Sequence, residues 1–167
     1  QVAVNLSARQ LLSDSLLESI NSIVMATGIS LSSITVEITE NSLIENVEKS
    51  KRILWNLKEM GVTISLDDFG TGYSSLSYLR EFPIDIMKID KSFVFNLKSS
   101  RKDASIVSAI ISMAHSMDMK VVAEGIETTE QYRHLIKSGC DYGQGYLFSK
   151  PIPSSELEVF MHGSYIE

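Results

Sequence analysis

An α/β fold with a parallel sheet is the class this sequence predicts, on three observations. Six short apolar runs recur along the chain, each followed by a stretch with helical spacing, which is the alternation of right-handed βαβ crossovers. Val62 to Leu66 alternates only weakly and Val121-Val122-Ala123 is apolar throughout, as in strands covered on both faces. Four of the runs end in a carboxylate or a carboxylate pair, the first ends in Asn5 and the last carries Gln144 near its end, so parallel strands would bring their polar ends to one mouth. That many acids do not share a small volume without cations, which points to a metal-dependent enzyme.

The elements follow in order. Val2-Ala3-Val4-Asn5 reads as the first strand; Ser7 to Gln10 then forms a capping box, and Leu12, Leu16, Ile20, Ile23 and Val24 make an apolar stripe that stops at Gly28. Ile34 to Glu40 is the second strand, with Val47, Ile53, Leu54 and Leu57 on its helix and Gly61 as the stop. Val62 to Asp68 is the third, followed by a short helix over Tyr73 to Arg80 that must end before Pro83. Ile84 to Asp90 is the fourth, and Ile106, Ala109, Ile110, Met113 and Met117 mark its helix. Val121 to Glu127 is the fifth; a second capping box at Thr128 to Gln131 leads into Tyr132, Leu135 and Ile136 before Gly139. Cys140 to Tyr146 is the sixth, and Ser154 is placed to cap a last helix with Leu157 and Phe160. A doubly wound sheet and a (β/α)₈ barrel both satisfy this order, although a barrel needs eight strands and typically about 250 residues.

Composition narrows the function. At 167 residues and 44% hydrophobic, the chain is long enough for one domain with a sizeable core. A net charge of −6 argues against a nucleic-acid polymer or a bilayer surface as partner. No apolar stretch approaches the ~20 residues of a membrane span, so no direct membrane contact is expected. The single cysteine, Cys140, excludes an intrachain disulfide, fits a cytoplasmic location and reads as a small core residue. Opening at once on a strand, without Met, the chain reads as part of something longer. His115, His134 and His162 show no metal-ligand spacing and are expected at the surface.

The candidate chemistry sits at the strand ends. Asp67-Asp68 closes the third strand, where one carboxylate can bridge two divalent ions while its neighbour holds one, although an isolated Asp pair is more often a loop cap beside a solvated strand end. The loop Gly70-Thr71-Gly72-Tyr73 runs towards a helix and offers backbone N–H groups to phosphate, or is an ordinary glycine turn. Glu37 and Glu40 are three apart and diverge if the strand is continuous; Glu37 is read as facing inward and Glu40 as a loop anchor. Glu124 and Glu127 repeat that spacing, and Glu124 is placed to help deprotonate a water. Lys88, flanked by Met87 and Ile89, is read as pointing into the mouth, where it would orient a water or stabilise charge on phosphate; a structural pair with Asp90 is the alternative. Asn5 and Gln144 are neutral oxygen donors.

Taken together, Asn5-Leu6-Ser7, Glu37-Ile38-Thr39-Glu40, Asp67-Asp68-Phe69-Gly70-Thr71-Gly72-Tyr73-Ser74-Ser75-Leu76, Lys88-Ile89-Asp90, Glu124-Gly125-Ile126-Glu127 and Gln144-Gly145-Tyr146 have the order and spacing of EAL domains. The chain resembles these cyclic di-GMP phosphodiesterases from end to end. The resemblance implies a (β/α)₈ TIM-like barrel with one atypical antiparallel strand, here an incomplete barrel of about six βα units, with residues 1–167 as a single partial domain. It implies hydrolysis of cyclic di-GMP to linear pGpG with two Mg²⁺ or Mn²⁺ ions. Asn5, Glu37 and Asp67 correspond to ligands of one ion, and Asp68 and Glu124 to ligands of the other, with Asp67 shared. Lys88 resembles the water-positioning lysine and Glu40 the glutamate that anchors the loop after Asp68. Gln144 and the Gly70 to Tyr73 loop correspond to positions near the substrate, and Glu127 and Asp90 to positions behind the ligands.

The same resemblance implies a homodimer and, in the parent protein, upstream sensor or GGDEF-type domains. The Glu-Ala-Leu segment that names the family would lie upstream of Asn5 and is not in the chain, so the isolated 167 residues are expected to hydrolyse little. A non-catalytic cyclic di-GMP receptor and a degenerate protein-interaction module are the competing functions.

Overall fold

The computed structural model describes residues 1–70, 79–97 and 100–162. Six strands, β1 (Val2–Asn5), β2 (Ile34–Thr39), β3 (Thr63–Phe69), β4 (Ile86–Ile89), β5 (Lys120–Ala123) and β6 (Tyr142–Gly143), form one parallel sheet in sequence order. Between them run α1 (Ala8–Leu11), α2 (Leu16–Thr27), α3 (Glu40–Ile44), α4 (Val47–Glu59), α5 (Lys91–Phe95), α6 (Arg101–Ser116) and α7 (Thr129–Lys137), and α8 (Ser154–His162) follows β6. Strictly sequential parallel order is the topology of a barrel wall and not of a doubly wound sheet, whose order reverses at its centre.

The two faces of the sheet differ in kind. Val36, Ile38, Ile64, Leu66, Met87, Ile89, Val121 and Ala123 point to the convex face and are buried under Leu54, Leu57, Val107, Ile111 and Leu135 of the helices. Their alternates point to the concave face, where Thr35, Glu37, Ser65, Lys88 and Gln144 help line a cleft of about 510 Å³. Both edges are open: Val2 is 60% and Val4 52% exposed on β1, and Tyr142 is 58% exposed on β6. The structure is therefore an incomplete barrel, a curved wall with its polar interior laid bare.

Both predicted capping boxes form. Ser7 and Gln10 bond reciprocally at α1, and Thr128 and Gln131 do so at α7. Gln131 is buried and also donates to Val94 O at 3.2 Å, which ties α7 to α5. Several expectations are corrected. Ile23 is 59% and Ile136 56% exposed, because α2 and α7 lie near the open edges and bury narrower stripes. In α6 the buried positions are Val107, Ile110, Ile111 and Ala114, while Ala109 is exposed, so the stripe is rotated from the predicted one. Glu40 opens a helix, α3, and does not end a strand. A short α5 follows Asp90, and β6 is only two residues long, although Gln144 N–H still donates to Ala123 O at 2.9 Å. Ser154 is the first residue of α8 and not its cap. The helix expected over Tyr73 to Arg80 lies largely outside the described residues. His134 is half-buried, with Nε2 enclosed, where a surface position was expected. Cys140 packs against the core as expected, and burial raises its thiol pKa. Among the described residues no helix is long and apolar enough to cross a membrane.

Two acids at the opposite end of the wall from the mouth act as clamps. Asp85 accepts from Ile64 N–H at 2.9 Å and pairs with Lys58. Asp141 accepts from Val121 N–H at 2.9 Å and from Lys120 Nζ at 2.7 Å, and meets His115 Nε2 at 2.7 Å. Burial alone would raise the Asp141 carboxyl, but these bonds more than offset it and hold it at about 2, below its ordinary 3.8. A depressed carboxylate stabilises the fold above its unfolded pKa and loses that contribution as pH falls through the folded value. Asp141→Asn is thus expected to cost about 1–2 kcal/mol at neutral pH, discounted because Lys120 is largely exposed. The difference from wild type should vanish between about pH 4 and pH 2 in urea unfolding series.

Candidate active site

The site is assembled at the C-terminal ends of the strands, where enzymes of barrel architecture keep their chemistry. A bulge makes its centre. The β3–β4 register shifts between Leu66 and Phe69, and Asp68 takes a left-handed backbone with φ 55°. In a regular strand Asp67 and Asp68 would point to opposite faces. The bulge lets both carboxylates reach the mouth, where ligand oxygens of Asp67, Asp68 and Glu124 lie within 4.8 Å of one another. Asp68 N–H donates to Asp67 Oδ1 at 3.0 Å and fixes the turn.

Lys88 reaches this cluster from the middle of β4. It is 5% exposed, and its Nζ lies 2.7 Å from Glu124 Oε1, 2.9 Å from Glu37 Oε1 and 3.0 Å from Asp67 Oδ1. Burial pulls the ammonium's pKa down, but hydrogen bonds to Glu124, Glu37 and Asp67 outweigh it and the net shift is upward, so Lys88 stays charged. Its partner is this triad and not Asp90. Asp90 instead caps α5, accepting from Ser92 N–H at 3.0 Å.

The charges do not balance. Among the described residues, the four carboxylates of Glu37, Asp67, Asp68 and Glu124 outnumber the cations that act on them, Lys88 and, at Asp68, Lys91. Burial, then the charge of Asp67 and of Asp90, raises the Asp68 pKa. Burial also raises Glu124, with Lys88 opposing and Asp67 and Glu37 reinforcing. A crowded all-oxygen set with surplus negative charge fits hard divalent ions such as Mg²⁺ or Mn²⁺.

The other predicted positions fall around this centre. Asn5 ends β1 in register with Glu37 and is exposed at the open edge. Gln144 lines the cleft with Glu37 and Lys88. Glu40 is half-buried in the first turn of α3 and is engaged in an interaction there. Gly70 has φ 95°, and a Cβ there would come within 2.8 Å of the Phe93 ring. Thr71, Gly72 and Tyr73 lie outside the described residues. Glu127 is exposed and lines a separate pocket with Lys91, Ser92, Phe95, Asn96 and Gly125.

Two residues that sequence reasoning missed support the site. Ser65 shares the inward phase of Asp67, lines the same cleft, and keeps its buried Oγ without a hydrogen-bond partner among the described residues. Counting back by two from Asp67 would have found it. Gly145 is pressed against the neighbouring backbone: a Cβ would sit 2.1 Å from Ile126 O and 2.3 Å from Ile126 N. Gly145→Ala is expected to lower stability by roughly 2–3 kcal/mol and to displace Gln144, read by thermal melting.

The family pattern of the EAL domain matches residues 1–151. A cyclic di-GMP phosphodiesterase of Pseudomonas aeruginosa, NbdA, is 43% identical over 161 residues, covering 96% of this chain and 21% of that protein. The solved PaMucR phosphodiesterase in complex with c-di-GMP superposes with a TM-score of 0.90 at 41% identity, covering 94% of this chain and 64% of that one. The manganese/cy-diGMP complex of Klebsiella pneumoniae BlrP1 gives 0.84 at 32% identity, covering 90% and 39%. The chain thus spans less than two thirds of each of these proteins. With its sequential parallel wall, its acidic mouth and a match along most of its length, the chain belongs to the EAL domain family.

Proposed function

We propose that the protein containing this chain hydrolyses cyclic di-GMP to linear pGpG, using two Mg²⁺ or Mn²⁺ ions. The observation that carries the reading is the convergence of Asp67, Asp68 and Glu124 within 4.8 Å, with the Lys88 ammonium beside them, in a member of this family. Asn5, Glu37 and Asp67 would hold one ion and Asp68 and Glu124 the other, with Asp67 shared. Bound there, the ions would polarise the phosphoryl oxygens and favour ionisation of the attacking water. Lys88 orients that water and offsets charge gathering on phosphate, and Glu124 accepts a proton from it. Gln144 and the Gly70, Thr71, Gly72 and Tyr73 loop contact the nucleotide. Glu40 anchors that loop, and Asp90, by capping α5, fixes the segment that follows Lys88. Glu127 acts at the rim of the mouth.

In this reading residues 1–167 are one part of a cytoplasmic EAL domain that works as a homodimer under sensor or GGDEF-type domains, and the remaining strands close the edges at β1 and β6. The test is incubation of the full-length protein with cyclic di-GMP and Mg²⁺ or Mn²⁺, with products identified by mass spectrometry. Formation of pGpG that EDTA abolishes is expected. Tight ligand binding without turnover would establish a receptor instead, and failure of both would leave an interaction module.

A further inference from the structure

We infer that Lys88 is an internal counter-cation competing with divalent metal for the same carboxylates, so that its ammonium holds the acidic side chains together while weakening metal binding. The inference rests on the metal centre proposed above and concerns how that centre loads.

Geometry carries it. The three hydrogens of an ammonium are matched here by three acceptors at 2.7, 2.9 and 3.0 Å, from Glu124, Glu37 and Asp67. Two of those residues, Asp67 and Glu124, also belong with Asp68 to the group whose ligand oxygens converge. Lys88 cannot retreat as a surface lysine would, because it is buried in β4 between Met87 and Ile89, both fully enclosed. A divalent ion entering the group therefore either takes oxygens from the ammonium or sits beside it, and in both cases the fixed positive charge lowers the ion's affinity. The opposing effect is organisation. Carboxylates this close repel one another, and an ammonium bonded to three of them holds them near the positions a metal would use. The coupling is reciprocal, so bound metal must loosen the ion pairs of Lys88 as much as those pairs loosen the metal.

The test compares Mn²⁺ binding by full-length wild type, Lys88→Met and Asp67→Asn, using calorimetry and the electron paramagnetic resonance signal of free Mn²⁺, with thermal melts in each condition. Lys88→Met is expected to bind Mn²⁺ at least tenfold more tightly than wild type, and to melt lower without metal but recover when it is added. Asp67→Asn should bind more weakly. Equal or weaker binding by Lys88→Met overturns the inference while leaving the metal centre in place. If Lys88→Met folds only with Mn²⁺, as read by circular dichroism, the inference is supported; if it stays unfolded at saturating Mn²⁺, the inference fails. No Mn²⁺ binding by either wild type or Lys88→Met would remove the metal centre itself and the inference with it.

Discussion

Lys88→Ala in the full-length protein is expected to slow cyclic di-GMP cleavage by roughly 10²–10³-fold at saturating metal, measured as the initial rate of pGpG formation. The magnitude follows from position. Nζ is a charged donor held among three carboxylates and enclosed by the sheet, so once bound metal draws an oxygen away from it, the freed hydrogen is already placed to meet a developing charge. Alanine removes that donor and leaves Glu37, Asp67 and Glu124 facing one another. The fold should also lose about 3 kcal/mol, the scale of breaking a buried ion pair, moderated by the 14–18% exposure of the carboxylates. Arginine should not rescue the rate, because its planar fork cannot point three hydrogens at three acceptors arranged around one nitrogen. A rate within fivefold of wild type would remove Lys88 from the chemistry.

Asp67→Asn is expected to be at least as damaging, with turnover down by roughly 10³-fold or more and Mn²⁺ affinity reduced in the same preparation. Asp67, like Glu124, both bonds Lys88 and belongs to the convergent carboxylate group, and its Oδ1 also receives the Asp68 N–H. Asparagine keeps the shape and the turn but gives up the charge, so stability should change little while metal binding and rate fall together. Glu81→Gln is the control: its carboxylate pairs with Lys51 at the surface, and its loss should leave metal affinity intact. Loss of rate without loss of metal affinity in Asp67→Asn would count against a ligand role.

Much of this site could be read from the strand ends because period two is a strong constraint. Once β4 is a strand, Met87 and Ile89 face the helices and Lys88 must face the other way, whatever its charge. Glu37 on β2, Asp67 on β3 and Glu124 just past β5 followed in the same manner, whereas Asp68 reaches the mouth only through the bulge. Features that depend on neighbours distant in sequence were harder. The rotated stripe of α6 reflects which flank of the sheet it packs on, and Ile106 through Met117 contains apolar residues on more than one side. The exposure of Ile23 and Ile136 depends on open edges that no local pattern announces. Asp85 and Asp141 look in sequence like further members of the acidic series. Only the sheet shows that they sit at the opposite end, spent on backbone N–H groups and lysines. Glu40 belongs to a helix because the strand ended one residue earlier, a boundary that propensity places poorly.

The left-handed backbone at Asp68 has a consequence for what substitutions this site tolerates. Outside glycine, that conformation is occupied mainly by asparagine and aspartate, whose short polar side chains bond locally. A position that must supply a carboxylate and also turn the chain this way is therefore open to one amino acid of the twenty. Glutamate keeps the acid but resists the turn, glycine and asparagine keep the turn but give up the acid, and the exchange usually ranked most conservative becomes one of the harshest.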